Sequence, residues 1–316
     1  MKRNKVFAIS QTGVSHLSAD TASRFSPCQD AYRIVNFSDT DILDYRGYLN
    51  GTILAVADGH GNPIYHGSSE FGSRLAVEAA TECMMDLVKE YEKTLDSGVF
   101  QYFPKMVVTI WRDWVLEHAK YRFPEKNLKR RFKNPQTYEA FEQRILMDYG
   151  STLLAAVAIP ETRLLVVAQI GDGDMIFLSR SKKDGEVCRL LRGNPDQEFG
   201  SNRTDSLCMQ DAEAKFQMLI LDGSEEDETR AKLDDYVLML ATDGISSAAL
   251  SDDHFLSDFC RPWMRAYMGV EKKDERSRVE EYFEQFMEKE MRYYSSDDMT
   301  VVMMAVNDRM EKESRC

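Results

Sequence analysis

The sequence predicts an α+β layered domain, with strands and helices in separate blocks rather than in a βαβ repeat. Short apolar, β-rich runs stand at Thr52 to Ala57, Thr152 to Ile159, Leu164 to Ile170, Met175 to Leu178, Phe216 to Leu221, Tyr236 to Ala241 and Met299 to Val306. Between the first and second of these lies a long stretch of helical periodicity. The second and third runs are joined only by Pro160-Glu161-Thr162-Arg163, too short for a crossover, so they pair antiparallel. These features together favour layered blocks.

Taken in order, the first run leads into a long amphipathic helix. Phe71, Leu75, Ala79, Cys83, Met84, Leu87 and Tyr91 recur every three or four residues and form one apolar face. Further helices are predicted over Pro104 to Lys120, Thr137 to Met147 and Arg276 to Arg292. Lys120 to Lys133 is a basic connection, whose Lys126 to Lys133 portion reads as a solvated loop or a docking surface for an acidic partner. Arg192 to Asp211 and the acidic Asp222 to Asp227 read as surface loops. No internal repeat, low-complexity tract or linker interrupts the chain, so residues 1–316 are expected to form a single domain.

Composition narrows the classes. A 316-residue chain with 43% hydrophobic residues can bury a sizeable core. Forty basic against 53 acidic residues give a charge of -13, which disfavours nucleic acid and anionic membranes and favours metal cations. The six cysteines form no C-x-x-C pair, and a reduced cytoplasmic protein is expected. The apolar run Val6 to Ile9 is too short for a signal-peptide core, and no stretch approaches the roughly 20 apolar residues that span a bilayer. A monomer is the default expectation.

The chemistry concentrates at strand ends. Ile53 to Ala57 runs into Asp58-Gly59-His60-Gly61, Val237 to Ala241 runs into Thr242-Asp243-Gly244, and Asp297-Asp298 immediately precedes Met299 to Val306. A single Asp-Gly after a strand is ordinary turn chemistry. Three acidic strand ends on one rim are different, because clustered carboxylates repel and take up protons unless a cation neutralises them. Oxygen ligands suit Mg²⁺ or Mn²⁺.

Five ordered motifs carry a family resemblance: Cys28-Gln29-Asp30, Asp58-Gly59-His60-Gly61, Asp148-Tyr149-Gly150-Ser151-Thr152, Ala241-Thr242-Asp243-Gly244 and Asp297-Asp298-Met299-Thr300-Val301. Through them the chain resembles the metal-dependent serine/threonine protein phosphatases of type 2C, the PPM family, and most of all its bacterial branch. The resemblance implies a sandwich of two antiparallel β-sheets flanked by α-helices on both faces, a four-layer αββα arrangement with metals in a cleft at one end. It implies that Asp58 bridges two metals, that Asp243 and Asp297 complete the first site, and that the Gly59 carbonyl serves the second with Asp30 nearby. Asp148 matches a position that helps hold a third metal with Asp243, so the implied cofactors are two or three Mg²⁺ or Mn²⁺ ions. His60 matches the general acid for the departing oxygen. Phosphate is assigned to Arg24, or another cation in its place, with His16 as an accessory contact.

The implied activity is hydrolysis of phosphoserine or phosphothreonine in protein substrates, opposing a cognate serine/threonine kinase. Two metals can acidify a shared water for in-line attack, so no protein nucleophile is needed. Neither a G-x-S-x-G turn nor a cysteine-phosphatase loop is present. The alternatives are a catalytically silent adaptor that binds a kinase or phosphoprotein, and a hydrolase of small phosphate esters. Two departures stand out. Asp297-Asp298 replaces the usual Asp-Asn, which makes Asp298 a competing ligand or a modifier of metal affinity. Gly171-Asp172-Gly173-Asp174 replaces the usual Gly-Asp-Ser-Arg, removing that loop's arginine. Asp172 to Asp174 lacks the later ligands of an EF-hand, and Gly171-x-Gly173 lacks the third glycine of a dinucleotide fingerprint.

Overall fold

The computed structural model describes residues 4–13, 28–37, 47, 49–60, 68–123, 138–180, 187–191, 204–224, 227–270 and 272–307. Its strands are β1 (Lys5–Gln11), β2 (Ala31–Asn36), β3 (Thr52–Ala57), β4 (Leu153–Ile159), β5 (Leu164–Ile170), β6 (Asp174–Ser179), β7 (Val187–Leu191), β8 (Gln217–Asp222), β9 (Asp235–Ala241) and β10 (Met299–Asn307). The first sheet runs β1-β10-β9-β6-β7 and the second β2-β3-β4-β5-β8. Neighbours pair antiparallel throughout. The β4–β5 hairpin forms as the short turn requires, with Ile159 opposite Leu164 and Arg163 taking the left-handed φ of 54°.

The longer helices are α1 (Ser69–Thr94), α2 (Phe103–Arg122), α3 (Tyr138–Asp148), α4 (Arg261–Gly269) and α5 (Lys273–Lys289). Alternation along the strands sorts the core into layers. Leu54, Val56, Leu154, Leu165 and Val167 of the second sheet meet Met175, Phe177, Leu238, Leu240, Val302 and Met304 of the first. Ile53, Ala55 and Ala57 point the other way, into a cluster with Ala76, Ala80 and Met84 of α1 and Trp111 of α2. Val237, Met239, Val301 and Met303 face Met264 and Tyr267 of α4 and Phe283 and Met287 of α5. The order is therefore helix, sheet, sheet, helix, the arrangement that the resemblance implied. Central strands read as nearly continuous apolar runs because both of their faces are dry.

Three strands that the sequence reading left unassigned, β1, β2 and β7, all lie at sheet edges. Each is only partly covered, so polar residues such as Lys5, Arg33 and Arg189 interrupt its apolar pattern. Helix α4 and the π-helical turn Phe255–Cys260 before it were also unassigned. The predicted helices hold, with bounds shifted by one to three residues.

Helix α1 is pressed against the end of α3. A Cβ added at Gly72 would lie 1.7 Å from the carbonyl oxygen of Tyr149, and Trp111 donates its indole N–H to the Gly72 carbonyl at 3.0 Å. Only glycine permits that approach. Gly72→Ala is expected to lower stability by about 3 kcal/mol, the upper end of the overpacking range. Urea unfolding checks this, and an unchanged midpoint would contradict the close approach.

Candidate active site

Antiparallel pairing brings the acidic strand ends to one edge of the sandwich. Ala57 pairs with Ala31, so the exit of β3 into Asp58 lies beside the entry of β2 from Asp30. Val301 pairs with Ala241, so the exit of β9 toward Asp243 lies beside the entry of β10 from Asp297. Thr242 joins the two sheets there. Its hydroxyl donates to Asp30 Oδ2 at 2.8 Å and accepts from the backbone N–H of Thr300 at 2.9 Å.

The loop after β3 is held by its backbone. The N–H of Asp58 donates to Thr152 Oγ1 at 3.0 Å, while its carbonyl accepts from the N–H of Thr152 at 2.9 Å and from Ser151 Oγ at 3.1 Å. The Gly150-Ser151-Thr152 motif thus acts as a clamp on Asp58. Gly59 donates to the Gln29 carbonyl at 3.1 Å, and a Cβ there would sit 2.5 Å from the Ser69 carbonyl oxygen. That crowding explains why the residue after Asp58 has no side chain.

Asp58, His60 and Asp243 are half-buried, Asp30 is buried, and Asp297 is exposed at the rim. Burial raises the Asp30 carboxyl to about 7, with the charge of Asp298 adding to the effect while Thr242 opposes it. Asp58 is raised well above the usual carboxylate range by burial, then by the charges of Asp30, Asp297 and Asp172. Asp243 is pushed up to about 8 by burial, then by Asp172, Asp58, Asp297 and Asp174. Among the described residues, every charge named here is that of another acid.

Among the described residues no three His, Cys, Asp or Glu side chains already stand as a ligand set. A divalent cation nevertheless fits the donor chemistry. Asp30 Oδ1 is buried without a hydrogen-bond partner, and it belongs to a group of carboxylates whose mutual repulsion a cation would relieve. The residues that would hold the ion are Asp58, Asp243, Asp297 and Asp30, with the Gly59 carbonyl.

Asp148 is buried at the end of α3, and its carbonyl accepts from the N–H of Ser68 at 3.2 Å. The charges that raise Asp58 and Asp243 most are those of other carboxylates. Asp172 leads these charges at Asp243 and follows Asp30 and Asp297 at Asp58, and it also acts on His60. The signal for it was present in the sequence, since Ile170-Gly171-Asp172-Gly173 repeats the strand-end Asp-Gly construction seen at Asp58 and Asp243. Burial lowers the His60 pKa while Asp172 pulls it back up, and His60 Nε2 has no hydrogen-bond partner. Arg24, His16, Gly61 and Lys126 to Lys133 lie outside the described residues.

Both departures from the family pattern have structural explanations. Asp298 Oδ1 accepts from the N–H of Gly13 at 2.7 Å and Oδ2 accepts from the N–H of Gln29 at 2.6 Å. Both oxygens are thus committed to backbone donors, which argues against Asp298 as a competing ligand. Asp174, where the motif usually has arginine, is paired with Arg189 of β7 at 2.6 Å, and Arg189 also reaches Asp252 at 2.9 Å. The Arg189 guanidinium thus balances the acid that stands in that position.

Asp298→Asn leaves one side-chain oxygen and sets an amide donor against a backbone N–H. A stability loss of about 1–3 kcal/mol is expected in urea unfolding, and an equal midpoint would refute the paired acceptance. The raised carboxylates set a pH dependence as well. Their unfolded pKa is 3.8, so between about 4 and 8 the native state holds protons that the unfolded chain releases. Their contribution to stability is full below about 4 and is lost as pH rises through 7 to 8. In chelator, the urea midpoint should fall from pH 5 to pH 8, and added Mn²⁺ should restore more at pH 8 than at pH 5. A midpoint that rises over that interval would count against the buried cluster.

The profile of the family described as "Protein phosphatase 2C" matches residues 12–287. No curated protein sequence matches the chain significantly. Among solved structures, a C. elegans sex-determining protein is 16% identical with a TM-score of 0.55, the match covering 96% of this chain and 65% of that one. A bacterial serine phosphatase is 13% identical with a TM-score of 0.52, covering 96% and 98%. The catalytic domain of the serine/threonine protein phosphatase PstP, in complex with two manganese ions, is 16% identical with a TM-score of 0.48, covering 96% and 99%. The two structural likenesses above 0.5 agree with the four-layer fold, and the extent of the profile match settles the lineage: the chain belongs to the protein phosphatase 2C family.

Proposed function

We propose that this chain hydrolyses phosphoserine and phosphothreonine in proteins, using Mg²⁺ or Mn²⁺ held by Asp58, Asp243, Asp297, Asp30 and the Gly59 carbonyl. The observation that carries the proposal is the gathering of Asp30, Asp58 and Asp243 at one edge with raised pKa values and, among the described residues, no cation as a leading neighbour. When bound, the metal pair supplies Lewis acidity and a water acidic enough to ionise near neutral pH.

The protein's own groups define the rest of the chemistry. Cys28, the thiol beside Asp30, is raised to about 11 by burial and stays protonated, so it is no nucleophile. His60 presents an unpartnered Nε2 at the cleft, and we assign it the proton for the departing serine or threonine oxygen. A histidine kept neutral by burial gives up a proton poorly, and the negative charge of Asp172 is what draws it back toward the acid form. We assign phosphate to Arg24 and His16 from their motif positions, and a third ion to Asp148 with Asp243. Residues 1–316 are read as one catalytic domain, acting on phosphorylated proteins opposite a cognate kinase as a monomer. Among the described residues no helix is long and apolar enough to cross a membrane, and the cytoplasm is the proposed location.

Purified protein should release phosphate from a phosphothreonine peptide with Mn²⁺ and stop on addition of chelator. Asp243→Asn or Asp58→Asn should lower kcat by about 100-fold or more. Binding of phosphopeptide without metal-dependent turnover would establish the adaptor instead. A preference for small phosphate esters over every peptide would establish the third reading.

A further inference from the structure

Gln169 stands apart from the rest of the second sheet's interior. It is a polar residue on the otherwise apolar strand β5, and it is 1% exposed. Its Nε2 donates to the carbonyl of Gly171 at 3.1 Å and to the carbonyl of Gly173 at 2.6 Å. Two acceptors facing one end of the amide fix its orientation, because the flipped amide would set oxygen against oxygen. The other end, Oε1, is buried without a hydrogen-bond partner. An arrangement that leaves a buried acceptor unsatisfied while both donor hydrogens go to one loop makes little sense for stability alone.

What the amide holds is the turn carrying Asp172. Gly171 has a φ of 103°, open only to glycine, and a Cβ there would lie 2.6 Å from the Thr152 side chain, the same side chain that accepts from the N–H of Asp58. On the other side, a Cβ at Gly173 would lie 2.8 Å from the carbonyl oxygen of Ala241, two residues before Asp243. The turn is thus wedged between the segment that presents Asp58 and the segment that presents Asp243. The charge of Asp172 acts on both, and on His60.

We propose that Gln169 is a positioning residue, whose buried amide clamps the Gly171 and Gly173 carbonyls and so fixes Asp172 between the segments bearing Asp58 and Asp243. Its effect on the site passes through Asp172. Strand β5 in this way governs how the rim receives a divalent cation. The inference rests on the metal-centre reading above and extends it to a residue outside the cleft.

The test is Mn²⁺ binding by titration calorimetry on the full chain, alongside phosphopeptide turnover. Gln169→Met keeps length and apolar volume while removing the donor and the orphaned acceptor, and it should weaken Mn²⁺ binding by about 10- to 100-fold. Asp172→Ala should weaken it comparably, and the double variant should bind no worse than Asp172→Ala alone, because both changes remove the same contribution. Should Gln169→Met not fold, Gln169→Leu is read in the same cycle. Unchanged Mn²⁺ affinity in the folded variant, or losses that multiply in the double variant, would overturn the proposal. If wild-type protein binds Mn²⁺ without turning over phosphopeptide, the phosphatase reading fails while the cycle still decides the role of Gln169. If wild-type protein binds no Mn²⁺, both fail.

Discussion

The constraint on which the rest depends is the burial of like charges where two sheets end together. Asp30 comes from the second sheet and Thr242 from the first, and the hydrogen bond between them closes the edge of the sandwich at the point where carboxylates are densest. Burial and mutual repulsion both push these acids toward their protonated forms. Folding without a cation therefore keeps protons on groups that would otherwise be ionised at neutral pH. The fold supplies the rigidity that holds the acids together, through dry layers on both faces of every central strand.

Support for the rim comes from residues that never reach it. Ser151 and Thr152 fasten Asp58 by its backbone, and Asp298 fastens the entries to β2 and β10. Arg189 neutralises Asp174, and Gln169 ties the turn of Asp172. Each is polar, and each is tied to the backbone or to an opposite charge. Orientation by such supporting contacts is what turns a set of carboxylates into a defined site.

Much of this was legible in the sequence, for identifiable reasons. Strand β4 is wholly apolar and β9 carries the run Val237 to Ala241, while the β4–β5 turn admits one topology. Asp58, Asp243 and Asp297 could be found because each adjoins such a strand. Edge strands β1, β2 and β7 were hidden, since half-exposed strands carry polar residues that break the pattern. Asp172 is hidden for another reason: its turn fits neither a calcium loop nor a nucleotide loop, although its Asp-Gly placement is the same as at Asp58. The partners of Asp298 could not be read at all, because Gly13 and Gln29 are distant in sequence and meet it through backbone groups that every residue possesses.

One consequence follows from that last carboxylate. Gly13 and Gln29 donate to the two oxygens of a single side chain, so the chain between them leaves and returns at one fixed point beside the cleft. Gly13 follows β1 of the first sheet and Gln29 precedes β2 of the second, so one side chain staples both sheets at the end where the acids gather.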